Sequence, residues 1–133
     1  MIGMVQGHFE QLDAAECAQL LREASIGRVA FVGPDGMTVL PLAYAVDGED
    51  IILRTAAGTQ LASLGAGTPV AFEVDEFDPE VRNGWSVLAR GRLGVLDPSR
   101  EVREVPEPFV PGEREVLVTL AVESLSGRAV SGD

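Results

Sequence analysis

Apolar and polar positions alternate along most of this chain. Alternation with period two spans residues 27–33, 37–46 and 50–55, and turn residues separate these stretches at Gly33-Pro34-Asp35-Gly36 and at Asp47-Gly48. Period two is typical of strands with one buried face, and such turns join antiparallel neighbours. Three strands joined by hairpins are therefore predicted in this part of the chain.

The second half of the chain continues the β pattern. Three further strands are predicted, in PVAFEVDE, in the long segment WSVLARGRLGVLD and in REVLVTLAVESL, with SGRAV following the last of them. The long segment contains Gly91 and Gly94, which permit the strong bending that a barrel needs. A loop, FDPEVRNG, and a charged, proline-rich excursion, PSREVREVPEPFVPGE, are predicted between these strands.

Two segments have helical character. Residues 13–24 begin with Asp13 and Glu16 at the spacing of a capping box, and they carry an apolar stripe that includes Cys17. The segment TQLASLGAG predicts a second, short helix that ends in glycine. We expect Cys17 to be a buried structural thiol, and residues 1–11 to form a flexible N-terminus.

About six antiparallel strands with short turns and few helices predict one all-β domain over residues 1–133, with peripheral helices. A small β-barrel and a β-sandwich are the two architectures that this pattern allows. The glycines inside the strands favour the barrel.

The chain is strongly acidic, with a net charge of −11 at pH 7 and a pI near 4.4. This charge repels nucleic acid and anionic lipid, so neither is expected as a partner. The single cysteine excludes an internal disulfide. A cytoplasmic protein is expected, because the N-terminus lacks signal-peptide features and no apolar run reaches the ~20 residues of a membrane span. No metal site is expected, because His8 has no His or Cys partner at metal-ligand spacing.

One short segment groups side chains that can bind an anion. In ILRTAAGTQL an apolar run ends at Arg54 and Thr55, a small bridge follows, and then come Thr59 and Gln60. All ten cations of the chain are arginine, whose planar guanidinium can bind phosphate or carboxylate through two N–H groups. The alternative is that Arg54 and Thr55 simply end a strand at the surface.

Five segments in this order resemble the pyridoxamine 5′-phosphate oxidase-like family, in its short bacterial branch of flavin-binding split-barrel proteins. They are ECAQLLREASIGRVAFVGPDG, LPLAYAVDGEDIILRTAAGTQL, PVAFEVDE, GWSVLARGRL and VESLSGRAV. The resemblance implies a six-stranded antiparallel split β-barrel that forms a homodimer, with flavin mononucleotide (FMN) in clefts between the subunits. Some members use a deazaflavin instead, and some have no established cofactor.

The resemblance also assigns the phosphate contacts. Arg54 would bind the phosphate, Thr55 and Thr59 would donate from their hydroxyls, and backbone N–H groups beside Gly58 would add a positive helix end. Position 60 is commonly Lys in phosphate-binding relatives, whereas Gln60 can donate a hydrogen bond but brings no charge. Replacing Gln60 with Lys is therefore expected to tighten phosphate binding by about 1 kcal/mol.

Five more residues are assigned to the flavin cleft by the resemblance. The segment of Pro41, Leu42 and Tyr44 would run beside the isoalloxazine, and Trp85 and Ser86 would line the same cleft from the same or the partner subunit. Because proline lacks an N–H, Pro41 itself predicts a strand edge, a bulge or backbone groups left open for a ligand. A Tyr44 in the dimer core and a buried or interface Trp85 are the alternatives.

No catalytic acid or base is identifiable. That agrees with a redox enzyme whose cofactor carries the chemistry, and equally with a protein that performs none. We expect an FMN-dependent oxidoreductase acting on a small substrate; the alternatives are a deazaflavin-dependent reductase of the same fold and a non-catalytic dimer that has weakened or lost flavin binding. Arg128 is expected to pair with Glu73 or Asp75, or to reach the cleft.

Overall fold

Seven strands and two helices make up the part of the chain that the computed structural model describes, which is residues 8–103, 105–106 and 115–132. In chain order they are β1 (His8–Leu12), α1 (Ala14–Glu23), β2 (Ile26–Gly33), β3 (Gly36–Asp47), β4 (Asp50–Ala56), α2 (Gln60–Ser63), β5 (Pro69–Asp78), β6 (Asn83–Val95) and β7 (Glu115–Ser131).

Six of these strands close into a ring. The order is β7-β4-β3-β2-β5-β6, and β6 pairs back onto β7, with every pairing antiparallel. Strand β1 lies outside the ring, where it pairs with the end of β7. The fold is therefore mostly β, and the six-stranded split barrel predicted from the sequence is confirmed.

The barrel is split between β3 and β4. These two strands pair only from Tyr44–Leu53 to Asp47–Asp50. Beyond that point residues 36–43 of β3 pair only with β2, and residues 54–56 of β4 pair only with β7. Pro41 therefore lies on a strand edge, where its missing N–H removes no ladder hydrogen bond.

The long strand β6 bends at one of its internal glycines, as predicted. The pairing of β6 with β7 shifts register between Arg90 and Gly91. A Cβ atom at Gly91 would overlap the carbonyl oxygen of Ala121 on β7, so the close approach of the two strands requires glycine there. This bend lets β6 stay paired with β7 while the sheet closes into a ring.

Helix α1 begins with the predicted capping box and covers part of the barrel. Asp13 accepts a 2.8 Å hydrogen bond from the Glu16 backbone N–H, and Glu16 accepts from the Asp13 N–H at 3.3 Å. Cys17 and Leu21 are buried in the core, and burial raises the pKa of the Cys17 thiol, as suits a structural residue. Neither α1 nor α2, the helices of the described residues, is long and apolar enough to cross a membrane.

Three boundaries differ from the sequence prediction. Residues 8–11, predicted as flexible, belong to β1 and pair with β7, whereas residues 1–7 lie outside the described part of the chain. The SGRAV segment lies within β7 and does not follow it, and the predicted loop shortens to residues 79–82. In each case backbone pairing between strands extends an element whose side-chain pattern is weak.

Candidate functional site

Arg54 lies where β4 leaves β3. It is the first residue of β4 beyond the last β3–β4 pair, Tyr44–Leu53. Its half-buried guanidinium donates through Nη1 to the backbone carbonyl of the buried Pro106. Pro106 belongs to the connection between β6 and β7, so this connection reaches the mouth of the split.

Thr55 follows Arg54 in the sequence, and its hydroxyl forms a short chain of hydrogen bonds with that of Thr59. Thr59 Oγ1 donates to the Ala56 carbonyl at 2.9 Å and accepts from the Ala62 N–H at 3.2 Å. The Thr55 and Thr59 hydroxyl oxygens are 2.9 Å apart, and Thr55 must be the donor because the single Thr59 proton is already used. We call Arg54, Thr55 and Thr59 the Arg54 cluster; a bound anion would require its hydroxyls to rotate.

Gly58 shapes the turn that carries Thr59. Its φ is +86°, which only glycine adopts without strain, and a Cβ there would meet nothing within 4 Å. The glycine is thus needed for the turn conformation and not for a close approach. Helix α2, which follows, is one turn of four residues, so the positive helix end expected beside Gly58 has no support from its length.

The side chain of Gln60 makes its hydrogen bond outside the Arg54 cluster. Its Nε2 donates to the carboxylate of Asp35 at 3.2 Å, and its Oε1 is buried without a hydrogen-bond partner among the described residues. A Cβ on Gly33 would come within 2.6 Å of that oxygen. Gln60 therefore joins α2 to the β2–β3 hairpin, and in this arrangement its amide donates to Asp35 and not toward the Arg54 cluster.

Leu42 and Tyr44 lie inside the barrel. Both side chains are almost fully buried in the protomer's own core, whereas Pro41 is exposed. The Tyr44 hydroxyl donates to the Leu21 carbonyl, and its backbone N–H donates to the Ser25 carbonyl at 3.0 Å. The structure thus gives Tyr44 a packing role within one chain.

Trp85 and Ser86 do not meet the Arg54 cluster within one chain. They pair with Ala129 and Arg128 of β7, whereas Arg54 pairs with Leu117 of the same strand. This separation is about twelve residues, or roughly 40 Å of extended chain. Pro41 and Leu42 come shortly before Tyr44, where the pairing of β3 with β4 begins, so they lie on the β3 side of the split.

The arginine that pairs with Glu73 and Asp75 is Arg28, not Arg128. Arg28 Nη1 lies 3.2 Å from Glu73 and 3.4 Å from Asp75. Arg128 instead places its guanidinium 5.5 Å from the ring centre of Phe9 on β1. The sequence could not show this, because it depends on β1 pairing alongside β7.

Sequence reasoning also missed Arg100, which anchors the β6–β7 connection. Its guanidinium lies 2.6 Å from Asp47 and 2.7 Å from Asp50, at the turn between β3 and β4. Together with the contact between Arg54 and Pro106, this fixes the connection at both ends of β4. The sequence offered two signals of these ion pairs, which are the acidic residues of the β3–β4 turn and an arginine in the proline-rich segment.

The chain is similar to proteins of known family and structure. Residues 13–129 match the family described as pyridoxamine 5′-phosphate oxidase. The chain is 30% identical over 131 residues to protein Rv0080 of Mycobacterium tuberculosis, covering 92% of this chain and 86% of that one.

Two solved structures share the fold. An FAD binding protein from Mycobacterium smegmatis has 27% identity and a TM-score of 0.72, with 92% of this chain and 98% of that chain covered. An F420 reductase has 22% identity and a TM-score of 0.51, with 80% of this chain and 93% of that chain covered. At 22% identity, the similarity to the F420 reductase concerns the fold alone.

Proposed function

This chain belongs to the pyridoxamine 5′-phosphate oxidase family, and from that premise we propose that it is a flavin-dependent oxidoreductase that binds FMN between two copies of itself. The observation that carries the proposal is the Arg54 cluster at the split of the barrel. The similarity to an FAD binding protein supports a flavin nucleotide as the ligand class. A flavin supplies hydride chemistry when bound.

The donors of the Arg54 cluster fit a phosphate group. A guanidinium carries five N–H donors in a rigid fork that matches phosphate oxygens, and the Pro106 carbonyl uses one of them. The Thr55 and Thr59 hydroxyls, which donate to Thr59 and to the Ala56 carbonyl in the structure, would add two donors once they rotate. Arg54 would hold the phosphate, and the edge of β3 at Pro41 would orient the remainder of the ligand across the split.

The proposed site needs two chains. Trp85 and Ser86 lie too far along β7 to reach the Arg54 cluster of their own protomer. A second copy can place its Trp85 and Ser86 beside that cluster, which supports a homodimer with shared clefts. The Arg54 cluster contains no carboxylate and no histidine, so its role is binding and orientation.

A second candidate is a non-catalytic dimer with weakened flavin binding. The observations that favour it are the hydrogen bond from Gln60 to Asp35 and the contact between Arg54 and Pro106. Gln60 brings no positive charge, so Arg54 is the single positive side chain of the proposed phosphate site. Its guanidinium already donates to the Pro106 carbonyl. Tight binding of FMN would argue against this candidate.

The test is a titration with riboflavin, FMN, FAD and the deazaflavin F420, followed by flavin fluorescence or calorimetry. We expect FMN to bind about 10- to 100-fold more tightly than riboflavin, because hydrogen bonds to a charged phosphate contribute about 1.5–3 kcal/mol. Arg54→Ala should remove this preference, whereas Arg22→Ala, an exposed arginine on α1, should keep it. Equal binding of riboflavin and FMN to the wild-type protein would refute the phosphate assignment.

Turnover separates the two candidates. Bound flavin that accepts electrons from a nicotinamide donor and passes them to an added acceptor would support the oxidoreductase. Bound flavin that stays oxidised with either nicotinamide donor would favour the non-catalytic dimer. Binding of F420 in preference to FMN would point to the deazaflavin-dependent reductase instead.

A further inference from the structure

Strand β7 has a gap along one of its edges. On that edge β4 pairs as far as Ala121, and β1 pairs from Gly127 onward. Within the described residues, no strand lies beside residues 122–126 on this edge, although β6 pairs along the opposite one. Alternate residues of a strand direct their backbone N–H and C=O groups to the same edge, so the gap leaves some of these groups of β7 without a strand partner.

A hollow lies at this gap, between α1, the β3–β4 turn and β7. Its volume is about 290 Å³, which is close to the lower end of ligand pockets and suits a small organic molecule. Leu21 of α1 and Ile51 of β4 are almost completely buried beneath it. The apolar side chains that line it are Leu21, Val46, Ile51, Val122 and Leu125. We call it the α1–β7 hollow.

A β-bulge in β7 borders the α1–β7 hollow. Arg90 pairs with Ser124 and Gly91 pairs with Val122, so Glu123 is an extra residue on β7. Bulges redirect side chains and are frequent beside functional sites. Here Glu123 and Ser124 both line the hollow, so the bulge gives it a polar side next to its apolar one.

Two acidic residues that line the hollow are already paired with arginines. Asp50 lies 2.7 Å from Arg100, which belongs to the β6–β7 connection. Glu123 lies 3.3 Å from Arg92 on β6. Their charges are therefore largely compensated by the protein itself, and a ligand has little to gain from either.

Two other charged residues of the lining have no partner of opposite charge. Arg22, in the last turn of α1, donates to the Ala18 carbonyl of its own helix and forms no ion pair within the described part of the chain. Glu49, in the β3–β4 turn, likewise forms no ion pair with a described residue. The α1–β7 hollow thus combines one uncompensated positive group and one uncompensated negative group, carried by different elements.

These charges determine the chemical class of the ligand. A guanidinium such as that of Arg22 binds a carboxylate through two N–H groups, and a carboxylate such as that of Glu49 accepts from an ammonium. A simple organic anion is disfavoured by a chain whose net charge is −11, and a simple amine would leave Arg22 without a partner. A zwitterion with an apolar body satisfies both groups and fills the apolar lining.

We propose that the α1–β7 hollow is a binding site for a free amino acid with an apolar side chain of about the size of leucine. Arg22 binds its carboxylate, Glu49 binds its ammonium, and the open edge of β7 offers backbone groups to both. The proposal does not rest on the flavin function, because the hollow lies at the Asp50 end of β4, whereas the Arg54 cluster lies at the other end.

The experiment titrates the full chain, without added flavin, with L-leucine and follows the backbone amides by nuclear magnetic resonance. Shift changes should concentrate at residues 46–51 and 122–125. Three analogues each lack one feature: 4-methylpentanoate lacks the ammonium, 3-methylbutylamine lacks the carboxylate, and glycine lacks the apolar body. Leucine should bind about tenfold more tightly than any of them, because each loses one charge-assisted contact or the apolar contact.

Two exposed substitutions assign the contacts. Arg22→Gln should weaken leucine binding about tenfold and leave 3-methylbutylamine binding unchanged, whereas Glu49→Gln should weaken leucine binding and leave 4-methylpentanoate binding unchanged. Glu23→Gln is the matched control, since it removes an exposed charge of α1 that does not line the hollow, and it should bind leucine like the wild type.

The amide spectra of the variants also show whether each of them folds. An absence of shift changes with leucine at millimolar concentration would overturn the proposal. Leucine binding that both Arg22→Gln and Glu49→Gln leave unchanged would overturn it as well. Binding of 3-methylbutylamine or 4-methylpentanoate as tight as that of leucine would refute the zwitterion as the ligand class.

Discussion

The hydroxyl of Tyr44 donates a 2.6 Å hydrogen bond to the backbone carbonyl of Leu21 and so joins β3 to α1 inside the barrel. The Tyr44 ring also packs edge-on against Phe72, with 4.9 Å between ring centres. Burial raises the pKa of Tyr44, so the phenol stays protonated and keeps donating. The family resemblance had assigned the same side chain, Tyr44, to the flavin cleft.

Tyr44→Phe should therefore lower stability without changing flavin binding. The substitution leaves the buried Leu21 carbonyl unpaired, which should reduce the free energy of unfolding by about 1–2 kcal/mol. Urea unfolding measures the change, with Thr68→Val as a control that removes an exposed hydroxyl. A fall in FMN affinity at unchanged stability would show that Tyr44 faces the ligand after all.

The sequence was sufficient for the six strands of the ring and insufficient for β1 and for the contacts between distant segments. Alternation predicted β3 and its edge at Pro41, and the alternation of Leu42 with Tyr44 already allowed both side chains to point inward. No local pattern relates Gln60 to Asp35, because that contact depends on how α2 returns to a hairpin formed earlier in the chain. The approach of Pro106 to Arg54 is non-local in the same way.

Gln60→Lys tests whether Asp35 determines where the side chain at position 60 lies. The sequence alone predicts tighter phosphate binding, but in the structure a lysine at position 60 would start beside the Asp35 carboxylate and pair with it. We therefore expect FMN affinity to change by less than about threefold in the single variant. The double variant Gln60→Lys, Asp35→Asn should bind FMN about fivefold to tenfold more tightly, because the ammonium is released.

Calorimetric titration of the wild type, both single variants and the double variant completes the cycle. Asp35→Asn alone serves as the control and should bind FMN like the wild type. If Gln60→Lys by itself tightens binding as much as the double variant, Asp35 does not hold the side chain at position 60.

Arg100→Gln should loosen the β6–β7 connection and strengthen anion binding at Arg54. The substitution removes both ion pairs to the β3–β4 turn, in which Asp47 is only 12% exposed. Without these ion pairs, the hydrogen bond from the Arg54 guanidinium to the Pro106 carbonyl should be formed for a smaller fraction of the time. The guanidinium then becomes more available to phosphate. Hydrogen exchange of residues 97–103 should become faster, and FMN affinity should rise.

Arg103→Gln is the control for this prediction, since it removes an exposed charge from the same connection. It should leave both exchange and affinity unchanged. Faster exchange in Arg100→Gln accompanied by weaker FMN binding would mean that the connection supports the site and does not compete for it.

The carboxylate pair of Glu73 and Asp75 on β5 should make stability depend on pH near neutrality. Burial, followed by the hydrogen bond and negative charge of Asp75, raises the pKa of Glu73 to about 7, and Arg28 opposes this only in part. The group is faced by Arg28 from β2, by Asp75 on its own strand and, diagonally, by Arg90 from β6. Glu73 is thus a carboxyl that the folded protein prefers to keep protonated.

The sign of the effect follows from proton binding. The ordinary pKa of this carboxyl is 4.5, so between about pH 4.5 and 7 the folded chain holds a proton that the unfolded chain releases. Stability from this group is therefore present at the acidic end of that window and is lost as the pH rises through 7.

Glu73→Gln should flatten this dependence, because the amide stays neutral while keeping its hydrogen-bonding capacity. Thermal unfolding midpoints at fixed protein concentration, taken at half-unit steps from pH 5 to pH 8, measure the slope for wild type and variant. Glu49→Gln, in the exposed β3–β4 turn, controls for loss of one negative charge. The other carboxylates are the same in both proteins, so the difference between wild type and Glu73→Gln reports on this pair. If the two curves run parallel from pH 5 to 8, the folded protein does not hold a proton on this pair near neutrality.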